Sequence, residues 1–97
     1  MKCTLRNLES SCWLLEGVID FRSVIELRAA GEAVLREAGG DVCFDFSGVR
    51  QANTAALTLM LCWRRLASEL GGKVSFRELP QALLSIAAVS DLESLLD

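Results

Sequence analysis

Few residues in this chain have the type and spacing to do chemistry. It has no histidine, so the commonest general base near neutral pH is missing. No GxSxG elbow, Walker A loop or GxGxxG fingerprint occurs. Asp20, Asp45 and Asp91 are far apart in sequence and read as turn or capping carboxylates. The chain is therefore expected not to be an enzyme. The four cysteines, Cys3, Cys12, Cys43 and Cys62, contain no CxxC spacing and have no histidine to join them. No metal site and no cofactor are expected. Cys43 lies in a strand-like run and Cys62 in an apolar helical run. All four read as reduced, structural thiols, with slow labelling expected at Cys43 and Cys62. One feature stands apart. In "CFDFSGVRQANTAALTLMLCW" a polar segment, Gly48 to Thr54, separates a strand-like run from an apolar helical run, and it ends in an Asn53-Thr54 pair. Either side chain can accept a hydrogen bond from the first free amides of the helix. One cap is enough. The other group, in the positive field of a helix start, is free to be a contact or a modification site, because a phosphate there would meet the same amides.

The elements that position this pair follow from periodicity. "KCTLRNLESSCWLLEG" reads as two short strands around a turn at Glu9-Ser10-Ser11. Cys3 and Leu5 alternate with Thr4 and Arg6 at a period of two. In "FRSVIELRAAGEAVLREAGG", Val24, Leu27, Gly31, Val34, Leu35 and Ala38 share one helical face. Ser23 and Glu26 have capping-box spacing, and Gly39-Gly40 stops the helix. "DVCFDFSG" is a strand apolar on both faces, which predicts a central place in the sheet. "NTAALTLMLCWRRLASELGG" is a second helix ending at Gly71-Gly72. "KVSFREL" is a further strand, and "PQALLSIAAVSDL" is a third helix with Pro80 at its first turn. The order is β-β-α-β-α-β-α. It predicts an α/β fold in which a mixed four-stranded sheet opens with an antiparallel pair, continues parallel and carries packed helices. The first half of the second helix is apolar nearly all round. Either neighbouring helices cover it or a partner does.

Composition limits the rest. The 97 residues form one expected domain, 1–97, with 52% hydrophobic and 24% charged residues. The net charge of −3 and the scattered basic residues argue against a nucleic-acid partner. No apolar run is long enough to span a bilayer, so the chain is expected to be cytosolic, or a peripheral subunit on the cytosolic side of a membrane.

"DFSGVRQANTAAL" resembles the signature of STAS domains. In these, a strand ends D-L-S-G-V and, after a short loop, D-S-S-G-L or D-T-x-G-L opens a helix. Asp45 to Val49 match the first half closely. Thr54 stands at the regulated Ser or Thr, and Leu57 matches. Asn53 replaces an acidic residue and Ala56 a glycine. The element order and the "LEGVID" entry into the first helix are most similar to the MlaB group, although that group commonly has an aromatic residue where this chain has Arg28. The resemblance implies a non-catalytic subunit that binds and supports the ATPase subunit of an ABC-type phospholipid transporter maintaining outer-membrane lipid asymmetry. Such a subunit lies on the cytoplasmic side of the inner membrane, within the complex. It places Thr54 in the contact, with Gln51, Asn53 and Leu57 around it. The alternative it implies is an anti-sigma-factor antagonist regulated by phosphorylation of Thr54. Losing both the acid and the glycine favours constitutive binding over that switch.

Overall fold

The computed structural model describes residues 3–9, 11–39 and 41–89, with side-chain surroundings through Ser85. Strands β1 (Cys3–Glu9) and β2 (Cys12–Ile19) precede helix α1 (Val24–Ala38), strand β3 (Val42–Ala52) and helix α2 (Thr54–Glu69). Strand β4 (Val74–Arg77) and helix α3 (Gln81–Val89) follow. The expected continuation of α3 past Val89 lies outside the described residues.

The sheet runs β1-β2-β3-β4. β1 pairs with β2 antiparallel, and β3 is parallel to both β2 and β4. The mixed α/β architecture expected from the element order is present, and β3 is central because α1 and α2 serve as its two crossovers. Alternation sorts the side chains of the sheet. Leu15, Phe44, Phe46, Val74 and Phe76 join Leu27, Leu35, Leu59, Met60 and Trp63 in one buried cluster under the helices. Cys12, Leu14, Cys43, Asp45, Ser75 and Arg77 occupy the alternate positions and so share the other face.

The helix ends follow local chemistry. α1 stops at Gly39, whose left-handed φ of 72° lets its N–H reach the carbonyls of Arg36 and Leu35. The capping box expected at Ser23 and Glu26 does not form. Ser23 makes no side-chain bond to the helix. Its buried hydroxyl turns back to the strand, donating to the Val18 carbonyl at 2.8 Å and accepting from the Asp20 N–H at 3.0 Å.

The segment expected as a loop before the second helix is mostly strand. β3 continues to Ala52, pairing Gly48 with Glu16, Val49 with Gly17, Gln51 with Val18 and Ala52 with Ile19. The register slips twice along this stretch. At Gly48 a Cβ would sit 2.6 Å from the Leu15 carbonyl oxygen and 2.9 Å from Glu16 Cγ, so glycine is what admits the approach of β2.

Candidate functional site

β2 and β3 leave the sheet side by side at Ile19 and Ala52. Each then turns into a helix, so the starts of α1 and α2 lie at one end of the molecule. A bond from the Asn53 N–H to the Ile19 carbonyl, 3.3 Å, joins the two exits.

Of the polar pair, Asn53 is the cap. Its backbone is extended, and its side-chain oxygen accepts from the Ala55 N–H at 2.8 Å. Its carbonyl accepts from the Ala56 N–H at 3.0 Å. Thr54 is the first helical residue and is exposed. The question of which residue caps and which is spare is thus decided by geometry: Asn53 is committed and Thr54 is free. Gln51 is exposed near the end of β3. Leu57 does not belong with them. It is 5% exposed and part of the main core, because three residues after Thr54 the helix has turned that face onto the sheet. Its expected contact role is withdrawn. Ala56, at the position of the family glycine, is fully buried.

The apolar first half of α2 is largely accounted for by the fold. Ala55, Ala56, Leu57, Leu59 and Met60 are all buried. What remains outward is Thr54, Thr58 and Leu61. Thr58 is one turn beyond Thr54 and on the same side.

Periodicity placed no role on the segment entering α1, yet this is where the exposed apolar surface lies. Phe21 is 69% exposed and Ile25 is 73% exposed. With Val24, Ala55, Thr58 and Leu59 they line a groove of about 170 Å³ between the two helix starts. Arg28 and Cys62 close it farther along. The signal was present in the sequence: Ile25 lies about 200° from Leu27 around a helix and so cannot share its buried face. The turn that presents Phe21 is tied down. The Asp20 carboxylate accepts from the N–H groups of Arg22 and Ser23, each at 2.9 Å. The Ser23 and Arg22 amides hold the Asp20 carboxyl below its usual range.

Among the described residues no group of three His, Cys, Asp or Glu side chains converges to hold a metal. Among them, no helix is long and apolar enough to cross a membrane. Asp45 is already paired, its carboxylate accepting from Arg77 at 3.2 Å and from the Ser47 N–H at 2.8 Å. Burial alone would raise the Asp45 carboxyl, but Ser47 and Arg77 outweigh it and leave the group below its usual range.

The geometry is that of known folds. One similar structure is the anti-sigma factor antagonist SpoIIAA in its unphosphorylated form. Its TM-score is 0.75 at 14% identity, over 98% of this chain and 85% of that one. Another is a chain of the Acinetobacter MlaFEDB complex in an ATP-bound conformation. Its TM-score is also 0.75, at 23% identity, over 88% of this chain and 90% of that one. No curated protein matches the sequence. The family model described as "Mlab, STAS domain" matches residues 6–97, and the chain therefore belongs to the STAS domain family of MlaB type.

Proposed function

We propose that this chain is a non-catalytic subunit that docks on the ATPase subunit of an ABC-type phospholipid transporter and supports its activity. It would act in the cytoplasm, held at the inner membrane by the complex, in maintaining outer-membrane lipid asymmetry. The observation that carries the proposal is the patch at the two helix starts. A free, exposed Thr54 adjoins a groove flanked by an aromatic and an aliphatic side chain that point into solvent. Large exposed apolar groups on a rigid turn are what an interface uses as anchors. Family membership supplies the kind of partner, and the likeness to a chain of the MlaFEDB complex is consistent with it.

The test is affinity for the candidate ATPase subunit, measured beside thermal unfolding. Phe21→Ala should weaken binding by roughly 30-fold, corresponding to a loss of about 2 kcal/mol at an interface anchor. Thr54→Arg should abolish binding by placing an unpaired charge in a desolvated contact. Thr54→Ser should bind nearly as wild type. All three should melt normally, because neither position belongs to the core. Unchanged affinity for both Phe21→Ala and Thr54→Arg would refute the proposed surface.

The alternative is an antagonist switched by phosphorylation of Thr54. Its supporting observation is the exposed hydroxyl at the first position of α2, where the helix amides favour an anion. Asn53 and Ala56 tell against it. Stoichiometric phosphorylation of Thr54 by a kinase-like anti-sigma factor, with no binding to any ATPase subunit, would establish this alternative in place of the first.

A further inference from the structure

On the face of the sheet opposite the main core, Cys12 and Cys43 are register partners on the parallel strands β2 and β3. The Cys43 N–H donates to the Ser11 carbonyl at 2.9 Å, which locks the pairing at this point. Neither sulfur is in a disulfide. We propose that Cys12 and Cys43 form a redox-active pair that a peroxide converts into a cross-strand disulfide and a small thiol converts back.

Register partners on neighbouring strands have backbones about 4.8 Å apart. That lies within the Cα separation of about 4.4–6.8 Å that a disulfide spans. Their side chains leave the sheet on the same side. The two thiols are near enough that the Cys43 sulfur helps to raise the pKa of Cys12. Cys3 and Cys62 lack such a partner in register. Cys3 opposes Gly17 across β1 and β2, and Cys62 is on α2.

The two sulfurs differ in access, which sets the order of events. Cys12 is buried, and burial, followed by the neighbouring Cys43 thiol, raises its pKa. Cys43 is only half-buried and is the sulfur a peroxide can reach. The Arg77 guanidinium lies close to both sulfurs, and its charge favours the ionised form of Cys12. The chemistry balances in two steps. The Cys43 thiolate attacks hydrogen peroxide, the O–O bond breaks, and a sulfenic acid and water form. The Cys12 sulfur then attacks the Cys43 sulfur, the S–O bond breaks and a second water leaves. Two thiols are oxidised by two electrons and one peroxide is reduced. In a parallel register pair the Cβ atoms stay nearly a strand spacing apart, wider than the usual 3.5–4.5 Å of a relaxed bridge. The product is therefore strained and easily reduced, as regulatory disulfides are.

Trypsin separates all four cysteines, placing Cys3 on residues 3–6, Cys12 on 7–22, Cys43 on 37–50 and Cys62 on 51–64. The reduced, full-length protein is titrated with hydrogen peroxide. Remaining thiols are then alkylated under denaturing conditions, and the digest is mapped by mass spectrometry. The expected product is a monomer with two free thiols and a single linked pair, 7–22 with 37–50, two hydrogens lighter than the sum. Millimolar glutathione should reverse it. Cys43→Ser should abolish the link. Cys12→Ser should leave a Cys43 sulfenic acid that dimedone captures. Links through Cys3 or Cys62, a covalent dimer, or direct passage of wild-type Cys43 to sulfinic acid would overturn the proposal. The wild-type map decides the matter even if either variant folds poorly.

Discussion

Gly31 lies against Trp63, so adding one methyl group there probes the packing of α1 on α2. A Cβ at Gly31 would fall deep inside van der Waals distance of the indole Cε2, Cζ2 and Nε1 atoms. Trp63 has little room to move. It is fully buried, stacked on Phe44 with centroids 4.1 Å apart, and its N–H donates to the Arg28 carbonyl at 3.2 Å. Two effects of Gly31→Ala oppose each other. Alanine in a helix interior is favoured over glycine by about 1 kcal/mol. Overpacking costs about 1–3 kcal/mol. Pulling the indole N–H off its carbonyl costs about 1–3 kcal/mol more. Loosening the stack costs up to about 1 kcal/mol. The clash wins, and the expected net destabilisation is about 1–6 kcal/mol. For a chain of this length that lowers Tm by roughly 5–30 °C. Thermal unfolding followed by far-UV circular dichroism and tryptophan emission measures it. Trp63→Phe in the Gly31→Ala background removes the clashing ring and should cost less than the two single changes added together. A Gly31→Ala protein that melts at or above wild type would refute the reasoning, since helix propensity would then have outweighed a clash that relaxed at no cost.

Asn53→Ala should cost about 1 kcal/mol by losing the α2 cap, whereas Thr54→Ala should change stability by less than about 0.5 kcal/mol; equal losses in denaturant melts would mean that the capping roles are misassigned. The folded Asp45 carboxyl titrates below its unfolded value of about 3.9, so its stabilisation is present above that pH and lost as pH falls through the lower folded value. Asp45→Asn should therefore be less stable at neutral pH, with the gap to wild type closing below about pH 4 in pH-dependent urea melts. Thiol labelling of the native protein should be slowest at Cys3 and Cys12, which are buried, and faster at half-buried Cys43 and Cys62. The slow labelling expected from sequence at Cys43 and Cys62 does not fit their half-burial, and Cys3, pushed by burial to a pKa of about 11, should be the clearest slow case. The purified chain should show no ATP or GTP turnover, and turnover that one of its own substitutions removes would contradict a purely binding role.

Much of this was legible in the chain because it is local. Alternation at Cys3 to Arg6, the helical stripe from Leu27 to Leu35 and the glycine at position 39 are written at the period of the structure they form. Once strands and helices alternate, few sheet orders are open, and the antiparallel start with parallel continuation follows. What the sequence left undecided depended on distant partners. Asn53 and Thr54 are equally able to cap. The choice came from the extended backbone at Asn53, which is tied to Ile19 on another strand. Ser23 has capping-box spacing, but Asp20 already holds the amides of Arg22 and Ser23, and the Ser23 hydroxyl went to Val18. The polar run from Gly48 to Ala52 has turn-like composition and became strand because β2 extends beside it. Leu57 reads as a candidate contact and is core, while Phe21 and Ile25 read as unremarkable and stand in solvent. The pairing of Cys12 with Cys43 spans 31 residues and is set by the register of two strands. Periodicity along one segment tells which face is apolar. It does not tell what another segment brings to that face, and only tertiary structure decides that.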